Sequence, residues 1–292
     1  MDSRRAAQTP ESAQDILAED SHSPPGAFTT TVAYVAQFYS LWFTYYQSQL
    51  GTFNRLAGPD KISPIYHFVV LINDDTLYAS SFLDLTTEPA ILTIPATAAT
   101  YSILNLTPYG DIIQTNIPAQ QGVYAFTGPG FSGALPAGVT QIKMPINIST
   151  LIFRADKYSS TGQDQINEAQ TFRLSLKLQP LSAYLQNPSG GGTAIPPEIL
   201  FALPLKTTAD LLAAQDPIAF LKQLQKAVAA PNTPPLTRFE QQLTDRFNAL
   251  FGNCDRQRPQ FSAGAQTAHD LNRGSIPNAY WPDKLDSFYQ YR

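Results

Sequence analysis

Cysteine, basic charge and long apolar runs are all scarce in this chain. The single cysteine, Cys254, excludes an internal disulfide and any metal site built from several cysteines. No Lys or Arg lies between Ile62 and Ile142, and the net charge is −4. Binding to nucleic acid by phosphate neutralisation requires the opposite charge bias. We therefore expect no nucleic-acid partner.

Histidines are few and far apart, at His22, His67 and His269. This spacing disfavours a histidine-rich metal site or a Ser-His-Asp triad, so we predict no metal and no cofactor. The most apolar stretch, residues 32–46, contains several polar side chains and is shorter than the roughly 20 apolar residues that span a bilayer. We expect no membrane span and a soluble, cytoplasmic protein, or a periplasmic one if the natural start lies upstream.

Apolar residues, prolines and turn residues are plentiful. Hydrophobic residues make up 43% of the chain, charged residues only 14%, and there are 24 prolines, which favours a turn-rich β structure. Short β-branched or aromatic runs alternate with turn residues at 67–72, 76–85, 90–94, 101–106, 111–117, 123–127, 140–144, 150–155 and 171–178. They predict a mainly β fold with a β-sandwich or jelly-roll-like domain. The polar residues 163–171 suggest a short helix before the last strand.

Helical periodicity occurs on both sides of this region. Val35, Phe38, Trp42 and Tyr46 recur at steps of three and four residues and predict an N-terminal helix with an aromatic face. That face packs on the sheet or on another subunit, or provides a stacking platform for a ligand. Since the aromatic band is wider than one helix-on-sheet contact needs, we expect part of it to be exposed and the chain to be a homo-oligomer.

The predicted domain organisation follows from composition. Residues 1–26 read as a disordered or loosely docked arm, and residues 27–182 as the β-sandwich domain with its leading helix. A glycine-rich linker near residue 190 opens a segment, 183–252, that ends in an α-helical hairpin. Residues 253–292 are predicted to be an irregular tail.

A polar cluster between two apolar runs is the best candidate for a site. Asn73, Asp74, Asp75 and Thr76 follow one another directly, with Tyr78 just downstream. Buried, unpaired carboxylates cost several kcal/mol, about 2–7 for polar groups in general, so these residues must cap a turn, bind a ligand or face solvent. In the structural interpretation they form a side-chain-capped turn. In the functional one, Asp74, Asp75, His67 and Tyr78 are candidate catalytic residues.

Arg154 stands at the end of another apolar run and requires a carboxylate or carbonyl partner. That partner is either one of Asp74, Asp75, Asp84 and Asp111, or a polar group of a ligand. The predicted ligand-binding set is Asn73, Asp75, Tyr78 and Arg154, and the predicted ligand is a small neutral or weakly charged organic molecule. Whether the chain is an enzyme stays open. The alternatives are a carbohydrate- or surface-binding module and a structural assembly protein.

Several segments together resemble the domain-of-unknown-function family 1254, DUF1254. They are 73–78 (NDDTLY), 83–85 (LDL), 88–89 (EP), 101–106 (YSILNL), 128–131 (GPGF), 135–138 (LPAG), Pro145 with Asn147 and Arg154, and 176–181 (LKLQPL). The resemblance covers roughly residues 30–182 and implies a β-sandwich but no established reaction. It points to a short form, because the residues after the predicted helices are too few for most of the companion 1214 domain.

Overall fold

A computed structural model describes residues 26–50, 53–58, 61–62, 75–113, 117, 119–195, 215–252 and 254–273. The helices are α1 (Ala27–Leu50), α2 (Ile166–Ser175), α3 (Leu181–Gln186), α4 (Pro217–Val228), α5 (Arg238–Phe251) and α6 (Cys254–Arg273). The strands are β1 (Thr76–Asp84), β2 (Ala90–Ile94), β3 (Tyr101–Leu106), β4 (Gly122–Thr127), β5 (Thr140–Lys143), β6 (Ile148–Asp156) and β7 (Lys177–Pro180). Helices hold more of these residues than strands do, so the chain is mixed α/β and the mainly β prediction is corrected.

The chain divides into two compact units, each built from separated stretches of sequence. The helical unit comprises residues 1–42, 209–228 and 235–292, and the sheet unit comprises residues 43–208 and 229–234. None of the described helices is both long enough and apolar enough to cross a membrane.

Aromatic side chains form the core of the helical unit. The ring of Tyr34 on α1 stacks on Phe247 of α5, with centroids 4.0 Å apart. Trp42 meets Phe220 of α4 edge-on at 4.7 Å, and its indole nitrogen donates to Gln223. Offset and edge-on contacts of this kind add to the stabilisation from burial.

The aromatic face of α1 is buried within a single chain. Val35, Phe38 and Trp42 are 0% exposed, and Tyr34 and Phe43 are at most 4% exposed. The expectation that part of this band stays exposed is therefore wrong for these residues, because the chain itself covers them. These buried residues offer no surface for self-association, and the homo-oligomer remains an untested prediction.

The two helices predicted after the linker are present as α4 and α5. Helix α5 begins with a capping box, in which the Thr237 hydroxyl accepts from the Glu240 amide and the Glu240 carboxylate accepts from the Thr237 amide at 2.7 Å. These reciprocal hydrogen bonds satisfy backbone donors at the start of the helix.

The tail prediction needs correction, because residues 254–273 form helix α6 rather than irregular structure. Phe261, Ala265 and Ala268 are buried at steps of four and three residues, which is a narrow helical stripe. Gly264 lies against α1, where an added Cβ would come within 2.8 Å of Thr31 Cβ. Small residues thus replace the large apolar ones that would have made this helix visible in the sequence.

The sheet unit contains two sheets with the strand orders β1-β6-β3 and β5-β4-β2-β7. All pairings are antiparallel except β4 with β5. Both sheets contribute to one hydrophobic cluster that includes Leu92, Phe126, Leu151 and Phe153. Two sheets are therefore present, but the predicted β-sandwich is not confirmed. A jelly roll is built from antiparallel strands, whereas β4 and β5 pair in parallel. The jelly roll is therefore not confirmed.

Most predicted strands lie within a few residues of the observed ones, with two exceptions. Residues 171–178 were predicted as a strand, but α2 continues to Ser175 and β7 begins only at Lys177. Ala169, Phe172 and Leu176 are buried, so the apolar spacing here is helical. Residues 111–117 hold no strand where they are described, only the isolated bridge from Ile112 to Leu106. The predicted strand at 67–72 lies outside the described residues.

Candidate functional site

The pairing of β1 with β6 brings together the polar residues of two distant parts of the sequence. Tyr78 lies opposite Arg154, and Thr76 lies opposite Asp156. Because side chains alternate along a strand, the buried residues between them, such as Leu77, face the hydrophobic cluster. Tyr78, Arg154 and Asp156 therefore lie half-buried on the opposite face of the same sheet.

Arg154 contacts the Tyr78 side chain directly. Its guanidinium carbon is 5.9 Å from the centre of the Tyr78 ring, within the range of a cation–π interaction. The nearby Arg154 side chain, by its charge and hydrogen bonding, also acts to lower the pKa of the Tyr78 hydroxyl. Since β6 is the central strand, Arg154 is flanked by Tyr78 on β1 and Ser102 on β3.

Asp75 joins this group from the residue just before β1. Its backbone carbonyl accepts from the Lys157 amide at 2.6 Å, which extends the β1–β6 ladder by one step. The Thr76 hydroxyl donates to its carboxylate at 2.9 Å. The Asp75 charge raises the pKa of both Tyr78 and Asp156. We call Asp75, Tyr78, Arg154 and Asp156 the Arg154 cluster.

Burial sets the protonation behaviour of this cluster. Desolvation raises the pKa of the Tyr78 hydroxyl, while the charge and hydrogen bond of Arg154 oppose that rise. Desolvation likewise raises the pKa of the Asp156 carboxyl, again opposed by Arg154 and reinforced by Asp75. Tyr78 consequently stays neutral at physiological pH, where its hydroxyl both donates and accepts hydrogen bonds.

The structure brings some of the predicted site residues together and not others. Asp75, Tyr78 and Arg154 share the Arg154 cluster. Asp84 instead accepts from the Asn232 side chain at 3.3 Å and from a backbone amide, and Asp111 accepts from the Thr107 hydroxyl at 3.4 Å. Three other predicted site residues lie outside the described part of the chain: His67, Asn73 and Asp74.

Two charged residues were missed by the reading of the sequence. Asp156 lies two residues after Arg154, and strand alternation alone could have placed both side chains on one face. Arg173 is 0% exposed, and its Nε donates to the Gln170 side chain at 3.1 Å. Arg173 was hidden because its segment was read as a strand, whereas it lies near the end of α2.

The Arg154 cluster is suited to hydrogen bonding rather than metal binding. It provides a fixed cation, a neutral hydroxyl and two carboxyl groups. Where the structure describes side chains, no group of three or more His, Cys, Asp or Glu residues is arranged to hold a metal ion. The groups present can orient a polar organic molecule and exchange a proton with it.

Comparisons with known proteins find one family model that matches part of the sheet unit. Residues 53–180 match the family model described as protein of unknown function (DUF1254). The resemblance to DUF1254 drawn from the sequence motifs is therefore confirmed over these residues. The matched residues include the whole Arg154 cluster.

The VPA0106 protein from Vibrio parahaemolyticus is among the solved structures that are distantly similar. It shares 14% sequence identity with this chain at a TM-score of 0.42, and the match covers 86% of this chain and 68% of that protein. A likeness this distant carries no conclusion about function. No curated protein matches the sequence.

Proposed function

We propose that this DUF1254 domain binds a small, neutral or weakly charged organic molecule through the Arg154 cluster. One observation carries the proposal: a half-buried guanidinium lies on the central strand of a sheet, beside a tyrosine and within electrostatic range of two carboxyl groups. The hydrophobic core on one face of the sheet does not require such a group of charged and polar side chains on the other face. Convergent polar groups with perturbed pKa values are characteristic of functional sites.

The charges of the cluster indicate what kind of ligand fits. One cation and two carboxyl groups disfavour a strongly anionic molecule, and the raised pKa of Asp156 moves the cluster towards neutrality. Arg154 can donate to a carbonyl or hydroxyl oxygen, while the carboxylates accept from a hydroxyl or amide. A molecule that carries both donors and acceptors is therefore the best match.

The same groups would support turnover of the bound molecule. A carboxyl group with a raised pKa is better placed than an ordinary aspartate to act as a general acid or base near neutral pH. Asp156 takes this role in the proposal, with Tyr78 as a neutral hydrogen-bond donor. His67, Asp74 and Asp75 remain catalytic candidates from the sequence, and Asn73 remains a candidate for binding the ligand.

Saturation-transfer NMR on the full chain tests the proposal with a defined panel of small amides, lactones, polyols and monosaccharides. We expect at least one class to bind saturably, and Arg154→Gln and Tyr78→Phe each to weaken that binding about tenfold, which corresponds to one lost hydrogen bond to a charged group. Arg238→Gln on α5 and Tyr184→Phe on α3 are the matched controls. If the cluster variants bind as the controls do, the proposal is wrong.

The alternative functions have less support. A carbohydrate- or surface-binding module would present a row of exposed aromatic side chains. In the described part of the chain the exposed large hydrophobic residues include only two aromatics, Phe28 and Tyr158, which belong to different compact units. A structural assembly protein was inferred from the aromatic face of α1, and that face is buried.

A further inference from the structure

We propose that the sheet unit binds a calcium ion at the end of β1, between the Asp84 carboxylate and the Asn232 side-chain amide. Both residues belong to the sheet unit, Asp84 as the last residue of β1 and Asn232 within residues 229–234. Tyr78 lies further back on the same strand, about 20 Å from Asp84 at the rise of a β-strand. The site is therefore separate from the Arg154 cluster.

One buried side chain fixes the backbone of Asp84. Asn54 is 7% exposed, and its Nδ2 donates to the Asp84 carbonyl oxygen at 2.7 Å. Its Oδ1 accepts from the Asp84 amide at 3.0 Å. Because Asn54 holds both backbone groups of Asp84, the carboxylate starts from an anchored position at the end of the strand.

The half-buried Asp84 carboxylate has hydrogen-bond donors but no basic side chain beside it. Its Oδ1 accepts from the Thr86 backbone amide at 3.0 Å, and its Oδ2 accepts from Asn232 Nδ2 at 3.3 Å. Among the residues that the structure describes, none forms an ion pair with Asp84, and Arg55, next to Asn54, is exposed. Since no Lys or Arg lies between Ile62 and Ile142, the local charge favours a cation.

The Asn232 amide provides the second, independent observation. Asn232 is 6% exposed, and its Oδ1 is buried without a hydrogen-bond partner. Buried polar atoms are nearly always paired, because an unpaired one keeps the full cost of its desolvation. A buried carbonyl oxygen next to a carboxylate without a counter-ion requires a donor or a cation.

The distance between the two groups fits a shared cation better than a hydrogen bond. A charge-assisted N–H···O⁻ contact usually measures about 2.7–2.9 Å, whereas Asn232 Nδ2 and Asp84 Oδ2 are 3.3 Å apart. Half a turn of the amide exchanges Nδ2 with Oδ1, since the terminal torsion of Asn is roughly two-fold. Adjacent oxygen ligands of one calcium ion, each about 2.3–2.6 Å from it, lie about 3–3.7 Å apart.

The ligand atoms select the ion. Calcium accepts carboxylate and amide oxygens in a flexible geometry and completes its shell with backbone carbonyls and water, whereas magnesium demands a near-ideal octahedron. The absence of metal predicted from the histidine spacing concerned histidine-rich sites, and this site uses oxygen ligands alone. A single carboxylate implies weak binding, with a dissociation constant of about 0.1–1 mM.

Isothermal titration calorimetry of the full chain with calcium chloride and magnesium chloride, at constant ionic strength, tests this inference. We expect saturable calcium binding and at least about tenfold weaker magnesium binding. Asp84→Asn should weaken calcium binding at least about tenfold, and Asn232→Asp, which adds a second carboxylate, should tighten it by a similar factor. The matched controls are Asp111→Asn and Asn187→Asp, because both residues are exposed.

Four outcomes would overturn the inference. The first is an unmodified chain that binds no calcium at concentrations up to about 10 mM, well above the weakest expected dissociation constant. The second is equal binding of calcium and magnesium. The third is an Asp84→Asn variant that binds calcium as Asp111→Asn does, and the fourth is an Asn232→Asp variant that binds it no more tightly than Asn187→Asp. Circular dichroism checks the fold of Asp84→Asn, and misfolding cannot produce the tighter binding expected for Asn232→Asp.

Discussion

The helical unit and the sheet unit differ in which kinds of side chain they bury. In the helical unit aromatic rings fill the core: Tyr34 stacks on Phe247, and Trp42 meets Phe220 edge-on. In the sheet unit, aliphatic and aromatic side chains fill one face of the β1-β6-β3 sheet while the opposite face carries the Arg154 cluster. In the sheet unit, the residues of the core and those of the candidate site thus lie on opposite faces of the β1–β6 pair.

The pKa shifts follow the same division. The described groups with raised pKa values are Tyr78, Tyr101 and Asp156, and all three belong to the sheet unit. For each of them desolvation is the largest cause. Among the described residues the raised pKa values thus lie in the sheet unit, and substitutions in the two units should have different consequences.

The largest expected effect is on the aromatic core of the helical unit. Trp42→Ala removes a side chain that is 0% exposed and meets Phe220 edge-on. Loss of a fully buried aromatic costs about 3–5 kcal/mol of unfolding free energy. Urea denaturation followed by circular dichroism measures it, with Phe28→Ala as the control because Phe28 is 42% exposed. A Trp42→Ala cost within 1 kcal/mol of the control would contradict this account of the core.

A smaller loss of stability is expected on substitution of Gly58, which packs against the backbone of β1 at Tyr78. An added Cβ at Gly58 would clash with the Tyr78 carbonyl oxygen and would lie 3.0 Å from Arg173. Gly58→Ala should therefore displace backbone and cost about 1–3 kcal/mol, as overpacking does. Gly130→Ala is the matched control, because an added Cβ there meets nothing within 4 Å. Equal melting temperatures for the two variants would show that the approach at Gly58 is relaxed without cost.

The capping box of α5 should contribute about 1 kcal/mol. Thr237→Ala removes the hydroxyl that accepts from the Glu240 amide and leaves that helix-start donor to water. Chemical denaturation should show this loss, and Thr237→Ser should recover most of it. A Thr237→Ala variant as stable as the unmodified chain would mean that solvent replaces the cap without loss.

The smallest effect concerns the pH dependence of the sheet unit. Burial holds the pKa of Asp156 above its ordinary value of 3.8, so the folded chain binds this proton more tightly than the unfolded chain. That stabilisation is fully present below pH 3.8 and is lost as pH rises through the raised pKa. Asp156→Asn should therefore melt at or slightly above the unmodified chain at neutral pH, and the two should converge in acid. A variant that is less stable at neutral pH would show that attraction to Arg154 outweighs burial.

The spacing of apolar residues predicted those helices and strands in which that spacing is clearly helical or strand-like. Helix α1 followed from Val35, Phe38 and Trp42, and strands β2 and β3 followed from short apolar runs between turn residues. Helix α6 was not predicted, because the buried stripe of this helix consists mainly of alanines. The boundary between α2 and β7 was misplaced because one apolar run fits either period over so few residues.

The candidate site was only partly predictable for a different reason. Asp75, Tyr78 and Arg154 were identified as residues that need partners, but the β1–β6 register that unites them is a long-range pairing. For strands that lie far apart in the sequence, no local pattern specifies which two strands pair or in what register they do so. Strand alternation alone places Asp156 on the same face as Arg154. The effect of Asp75 on the pKa of Asp156, however, depends on the long-range pairing of β1 with β6.

The central claim is that Arg154 and Tyr78 bind the same small molecule from neighbouring strands. A double-mutant cycle tests it: the dissociation constant of the tightest panel ligand is measured by calorimetry for the unmodified chain, Arg154→Gln, Tyr78→Phe and the double variant. We expect each single change to weaken binding about tenfold and the double variant to lose less than the sum of the two, by about 0.5–3 kcal/mol. Unchanged dissociation constants in all variants would contradict the claim.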